Sequence, residues 1–308
     1  MRIVRHPQGF DGATALAIGS FDGVHRGHAA LFERVAQRAR ARGLASAVLT
    51  FEPLPREFFA PQSAPARIYS LRERLEAMDA LGVEVAFVQR FDARFAAIGP
   101  EDFAQRLARD YGCRHVVVGE NFRYGAKRAG DCAQLVASGQ RLGFEVEALD
   151  AVCSGGEPVS STRVRAALAA GDFDAAERLL GRRYAIDGRV VHGHKRGREL
   201  GFPTANVRLA RPRAALAGIF AVKCFGAATR GLEGVASLGI NPAVRDDGPA
   251  SLEAFLFDFS GDLYGRHLSI EFVKKLRDEA KFASLDELTA QIRRDCEAAR
   301  AVFRAMED

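Results

Sequence analysis

Four short stretches of this chain carry side chains that could move phosphate. In "GSFDGVHRGH", Gly19 to His28, two histidines, His25 and His28, stand three residues apart with Gly27 between them. In "VSSTRVR", Val159 to Arg165, three hydroxyls precede two arginines. In "GFPTANV", Gly201 to Val207, Pro203 fixes the chain and Thr204 and Asn206 follow two apart. In "LEAFLFDF" a carboxylate, Glu253, stands among aromatic residues.

The histidines lie where a strand turns into a helix. An apolar segment, "ATALAI", comes before them, and "AALFERVAQRARARG" follows with Leu31, Phe32, Val35 and Ala39 at helical spacing. Backbone amides and the helix dipole favour an anion at such a junction. The turn formed by Gly19, Phe21, Asp22 and Gly23 gives the backbone room, and Gly27 lets a phosphate approach with no side chain in the way. Imidazoles three apart on a first helical turn point to one side. Both can donate to phosphate oxygens and stabilise the charge that develops when one phosphate attacks another. Two other readings stand beside this one: a metal pair, for which no third cysteine or histidine lies nearby, and a plain helix cap. The chain has neither GxxxxGK[ST] nor GxGxxG, which excludes a P-loop and the usual dinucleotide fingerprint.

The other three stretches permit similar chemistry. Ser160, Ser161 and Thr162 at a helix start can hold phosphate, with Arg165 adding a planar fork, or they can simply cap the helix. Thr204 and Asn206 share a face in an extended strand. Their neutral oxygens suit Mg²⁺ when a nucleotide's phosphates bring most of the charge. Gly193, Gly197 and Gly201 would leave backbone room there, although a glycine-rich turn accounts for them equally well. With period two, Glu253 shares a face with Phe255, Phe257 and Phe259, and Leu252, Ala254, Leu256 and Asp258 face the other way. A carboxylate among aromatics is costly unless paired or functional, and would suit a base taking a proton from a hydroxyl nucleophile. A solvent-facing strand end is the alternative.

The elements that must position these residues fall into two grammars. From residue 14 to about 180, the runs "ALAI", "ASAVLTF", "VEVAFV", "HVVVGE" and "FEVEAL" alternate with helical patterns, which predicts a parallel sheet covered on both faces. Ligands of such sheets bind beyond the carboxyl ends of the strands. After "LLGRRYAIDG" come short strands separated by glycine and proline, the pattern of a small closed or sandwiched β domain. An amphipathic helix opened by Ser284 and Glu287 ends the chain. The boundary is placed near residue 182, giving domains 1–182 and 183–308.

Composition bounds the rest. The 308 residues, 48% hydrophobic and 27% charged, suit two globular domains. No apolar run reaches the roughly 20 residues of a bilayer span, and the first residues lack an apolar signal core, so neither a membrane partner nor secretion is expected. Five scattered cysteines without a CxxC pair argue against a disulfide framework and against a zinc site, and fit a reduced cytoplasm. The net charge of +5 is interleaved with acids, so no nucleic-acid partner is expected, whereas small anionic substrates fit. Oligomeric state, a homo-oligomer included, is left open.

"GSFDGVHRGH" with "VSSTRVR" resembles the HxGH nucleotidyltransferase superfamily. The order "TFEPLPREFF", "VVVGENFRYG", "VSSTRVR" is similar to the adenylyltransferase half of bacterial bifunctional FAD synthetases. "GRELGFPTANV", "LEAFLFDFSGDLYG" and "LRDEAKFASLDELTAQI" resemble the riboflavin kinase half of the same family. The resemblance implies an HxGH-type α/β domain followed by a small β-barrel kinase domain with a C-terminal helix. It implies that His25, His28, Ser161, Thr162 and Arg165 hold ATP, that Asn121 and Pro53 lie near the flavin, that Thr204 and Asn206 hold Mg²⁺–ATP, and that Glu253 is the base toward the ribityl 5′-hydroxyl. Riboflavin, FMN and FAD would be substrates or products. One departure stands out: after "GVASLG" this chain reads "INPAV", with Ala243 where the family usually has threonine. Two rivals remain, another HxGH enzyme with a different phosphorylated substrate and a nucleotide- or flavin-sensing protein without turnover.

Overall fold

The computed structural model describes the 308-residue chain apart from residues 8–9, 194–196, 198–199, 212, 241–249 and 308. The Ala243 departure therefore lies outside the described residues. The chain divides into two compact units: Met1–Pro65 with Leu71–Ser160, and Ala66–Ser70 with Ser161–Asp308. The sequence grammar changes near residue 182. The helices from Ser161 to Leu180 group with the second unit.

The first unit is built on a six-stranded parallel sheet, β1 (Arg2–Val4), β2 (Thr14–Ile18), β3 (Ala45–Glu52), β4 (Val85–Arg90), β5 (Cys113–Gly119) and β6 (Glu145–Leu149), in the order β1-β4-β3-β2-β5-β6. Its helices are α1 (Arg26–Arg42), α2 (Pro55–Phe59), α3 (Leu71–Ala80), α4 (Ala93–Ala96), α5 (Pro100–Arg109) and α6 (Cys132–Leu142). All five residues of β2 are buried, because both sheet faces are covered. One face packs Leu16, Leu49 and Val118 with Phe103, Leu107 and Leu135 of α5 and α6. The other packs Ala15, Val48 and Val117 with Phe32, Val35, Leu75 and Met78 of α1 and α3. This two-sided burial is why the strands read as unbroken apolar runs.

The strand order contains a switch. The chain proceeds from β2 outward through β3 to β4, and β5 then pairs on the opposite side of β2. The loops leaving β3, β2 and β5 are therefore neighbours at one sheet edge, where doubly wound folds place their ligands. At the far end of α1, Arg38 Nε donates to Glu147 of β6 at 2.7 Å, with His115 Nε2 3.2 Å from the same carboxylate. The Arg38 hydrogen bond holds the Glu147 carboxyl below its ordinary range.

In the second unit, α7 (Ser161–Ala170) and α8 (Phe173–Leu180) precede a closed barrel. A short hairpin, β7 (Cys153–Ser154) with β8 (Glu157–Pro158), belongs to the first unit. The barrel strands are β9 (Ala185–Val191), β10 (Thr204–Arg208), β11 (Gly218–Phe225), β12 (Leu232–Ile240), β13 (Ala250–Leu256) and β14 (His267–Arg277), in the order β10-β13-β12-β11-β14-β9. The final helix, α9 (Leu285–Glu307), lays Ala299 and Phe303 on Ile219, Ala221, Val235 and Phe257. Ser284 Oγ accepts from the Glu287 amide, and Glu287 Oε2 accepts from the Ala283 amide, a reciprocal cap at the start of α9.

One periodicity stops short. The alternation predicted from Glu253 through Phe259 holds as far as Phe257, which packs with Phe255 beneath α9. It breaks at Asp258, which lies past the end of β13, adopts φ +54° and is exposed.

Two stability predictions follow from the first unit. Gly112 has φ +59°, and a Cβ there would run into the Gly12 carbonyl oxygen. Gly112→Ala should cost at least about 2 kcal/mol, lowering the unit's melting temperature by roughly 4–8 °C in a calorimetric scan of the full chain. Because Glu147 is depressed in the folded state, its contribution is fully present above the unfolded carboxylate range and is lost as pH falls from that range through the lower folded value. Glu147→Gln should therefore flatten the acid side of the Tm–pH curve while lowering Tm near neutrality.

Candidate functional site

The histidine turn follows β2 directly, at the switch. His25, in extended conformation at φ −75° and ψ 174°, is the N-cap of α1, and its carbonyl accepts from the His28 and Ala29 amides at 2.8 and 3.0 Å. The two imidazoles stack, with centroids 3.6 Å apart and planes 18° apart. Phe21 packs edge-on against His28 at 5.2 Å and against Phe32 at 4.9 Å. Phe21 and Val24 have φ of +50° and +42°, the left-handed region that side chains rarely adopt, and both are buried. Such strain persists where the surroundings over-determine the backbone. Gly27 has a packing reason as well as the access expected for it. A Cβ there would lie 3.2 Å from the His25 ring. Gly19 is similar, since a Cβ would lie 2.8 Å from the Phe21 ring. Asp22 is buried in the same turn.

Beside the turn opens a cavity of about 700 Å³, lined by Gly19 and Ser20, by Phe51 and Pro55, and by Asn121 and Tyr124. Phe91, Phe95 and Phe103 extend its aromatic wall. Asn121 is exposed, in the loop after β5. Pro53 is exposed in the loop after β3, and Pro55, two residues on, lines the cavity. Burial pushes the Tyr124 phenol up to about 12, so it stays protonated at neutral pH, and its hydroxyl makes no hydrogen bond among the described residues. Aromatic walls with a few polar groups suit a planar heterocycle. Local patterns did not single out these aromatics, because four separate segments contribute them. Glycine and proline in the "FEPLP" and "GENFRYG" loops were the available signal.

Ser161 and Thr162 open α7 in the second unit, and Arg165 Nε donates to the Ala66 carbonyl at 2.7 Å. Ser161 is half-buried and Thr162 exposed.

In the barrel, Asn206 lies directly opposite Glu253, and Thr204 opposite Phe255. Ala205, Val207, Leu252 and Ala254 are buried, while Thr204, Asn206 and Glu253 share the other strand face. Thr204 Oγ1 donates to Glu253 Oε2 at 3.3 Å. The glycines are fitted to this face. A Cβ on Gly193 would collide with the Asn206 amide, and one on Gly197 would lie 3.3 Å from Thr204 Oγ1. Gly201 adopts φ +85°, and Pro203 is exposed just before β10. A hydroxyl, an amide oxygen and a carboxylate together make a hard oxygen donor set.

Ser237 of β12 flanks Glu253 on the other side, and its hydroxyl binds Glu279, which lies against Gly239. Partial burial raises the Glu279 pKa above the ordinary carboxylate range. No local pattern marks this second carboxylate, because residue 279 follows β14 and meets β12 only through the barrel's strand order.

Family models match the chain in two blocks, FAD synthetase over residues 8–163 and riboflavin kinase over residues 180–303. A bifunctional riboflavin kinase/FMN adenylyltransferase of Escherichia coli is 45% identical over 289 residues, covering 94% of this chain and 92% of the relative. One of Pseudomonas fluorescens is 47% identical over 286 residues, covering 92% and 91%. The one from Listeria monocytogenes is 36% identical over 300 residues, covering 95% and 93%. A crystal structure described as a macrolide-efflux protein from Streptococcus pneumoniae superposes with a TM-score of 0.80 at 29% identity, covering 97% of this chain and 99% of that one. Among the described residues no helix is long and apolar enough to cross a membrane. The two domain models in tandem and the near-full-length identity agree: the chain belongs to the bifunctional riboflavin kinase/FMN adenylyltransferase family.

Proposed function

We propose that this chain phosphorylates riboflavin with ATP to give FMN, and adenylylates FMN with ATP to give FAD and pyrophosphate. The observation that carries the second activity is that the histidine turn opens directly onto the aromatic cavity, sharing Gly19 and Ser20 with it. A phosphate-gripping junction beside a planar-ring pocket is what joining two phosphates across a flavin nucleotide requires.

In the adenylyl transfer, a phosphate oxygen of FMN attacks the α-phosphorus of ATP. The new P–O bond forms as the bond to the bridging oxygen breaks, and pyrophosphate leaves. His25 and His28 hold the ATP phosphates and meet the charge that grows during the displacement. Gly19, Phe21, Asp22, Gly23 and Gly27 shape the turn for them. The sequence motif assigns Ser161, Thr162 and Arg165 to ATP as well. Asn121 and the loop carrying Pro53 serve the flavin. No protein nucleophile is needed, and rate comes from positioning and charge stabilisation.

In the kinase reaction, Glu253 takes the proton from the ribityl 5′-hydroxyl as its oxygen attacks the γ-phosphorus and ADP leaves. Thr204 and Asn206 would hold Mg²⁺ brought with ATP, which fits their neutral oxygens, and Gly201 and Pro203 present the strand to the nucleotide. Bound there, Mg²⁺ supplies positive charge to the phosphates. The cytoplasm is the proposed compartment, consistent with five free cysteines.

The two chemistries can be separated by mutation in one chain. His28→Ala should cut FAD formation from FMN by about 10²–10³-fold and leave riboflavin phosphorylation nearly intact. Equal loss of both activities would contradict separate sites. Glu253→Gln should cut FMN synthesis by about 10²–10⁴-fold while supplied FMN is still converted to FAD. Retained phosphorylation would assign Glu253 to structure.

A further inference from the structure

Arg74 is a charged residue with no exposed surface, placed on α3 among Leu71, Leu75 and Met78. Its guanidinium reaches both the histidine turn and the end of β3. Nη1 donates to the Ser20 carbonyl at 2.6 Å and to Thr50 Oγ1 at 3.2 Å. Nη2 donates to the Phe51 carbonyl at 3.3 Å and to Glu52 Oε2 at 2.8 Å. Thr50 Oγ1 in turn donates to the Ser20 carbonyl at 3.3 Å. Ser20 lies in the histidine turn after β2, and Phe51 and Glu52 end β3 just before the "PLP" loop.

The location of these bonds gives them their meaning. The β2–β3 ladder ends at Ile18 paired with Leu49, followed by one bond from the Gly19 amide to the Leu49 carbonyl at 3.0 Å. Past that point β2 gives way to the histidine turn while β3 runs on to Glu52, and Arg74, together with Thr50, ties the turn to the end of β3. Ser20 and Phe51 both line the aromatic cavity. The fork's planar geometry fixes two acceptors at once, which a single ammonium cannot do. For stability alone, an apolar side chain of similar volume serves a buried site as well as an ion pair. A fully buried guanidinium aimed at two functional loops thus calls for a geometric explanation.

We propose that Arg74 is the positioning residue of the adenylyl transfer. It sets the separation between the histidine turn and the proline loop, and so between the α-phosphorus of ATP and the phosphate of FMN. This rests on the adenylyltransferase reading above. Each substrate has its own loop and binds without Arg74. What depends on Arg74 is their mutual register, in which a displacement near 1 Å costs about 10²-fold in rate.

The test uses the full chain with Arg74→Lys, which keeps the charge and loses the fork, and Glu52→Gln, which removes the counter-charge but leaves the fork. FAD formation from FMN and ATP is followed at varied concentrations of each, with FAD added as an inhibitor. Riboflavin phosphorylation is measured in the same preparations. For Arg74→Lys the expected result is a kcat for FAD formation lower by about 10²-fold, with the KM values for FMN and ATP each within about three-fold of wild type. FAD spans both loops, so its inhibition constant should rise about ten-fold, while phosphorylation is unchanged. Glu52→Gln should shift kcat and FAD inhibition the same way by a smaller factor, and it carries the test if Arg74→Lys fails to fold. Unchanged kcat in both variants would overturn the inference. So would a loss of activity that only tracks the folded fraction, or a rise in both KM values with kcat preserved. A wild-type chain that makes no FAD would overturn the adenylyltransferase reading itself, and the inference with it.

Discussion

Two imidazoles stacked 3.6 Å apart at the mouth of a parallel sheet make a demanding arrangement, and the first unit is organised around it. The stack needs a residue without a Cβ between its members, which Gly27 provides. It needs a wall behind His28, which Phe21 supplies only by taking a left-handed backbone conformation. It also needs a place where a helix begins and the sheet no longer fills the space. The reversal of strand order around β2 creates that place, and the loops from β3 and β5 then lie on either side of the turn. Strain at Phe21 and Val24 is sustained because the surrounding core is tightly filled.

On the proposed reading, the second unit handles phosphate by different means. Its barrel offers no helix start among the elements bearing Thr204, Asn206 and Glu253. Instead, adjacent strands line up oxygen atoms, with Asn206 across from Glu253 and Ser237 beyond it. Strand register does here what the helix terminus does in the first unit. A neutral donor set with one carboxylate would leave the nucleotide to bring negative charge, whereas in the proposed reading the histidine turn offers donors and a positive helix end to charge already present.

Much of this was legible in local pattern, and what was not has a physical reason. Strands β2–β5 announce themselves because burial on both faces gives apolar runs of strand length, and α1, α3, α5 and α6 through their helical spacing. The face shared by Thr204 and Asn206 follows from period two alone. By contrast, β1 is a three-residue edge strand with two exposed residues, too short to register. The expected alternation fails at Asp258, whose left-handed backbone no periodicity encodes. Glu279 and Arg74 matter through partners far away in sequence. Arg74 did leave a trace, a charge on the apolar stripe of Leu71, Leu75 and Met78, but only the fold shows what it reaches. The roles of Asn121 and of the loop at Pro53 came from family resemblance, since their chemistry is that of ordinary loops.

The central claim is that one chain carries two successive flavin chemistries, and one incubation tests it most directly. Purified protein is mixed with riboflavin, ATP and Mg²⁺, and flavins are separated by chromatography over time. FMN appearing first and FAD growing at its expense is the predicted result. FMN that accumulates with no FAD, or riboflavin that is bound and never converted, would contradict it.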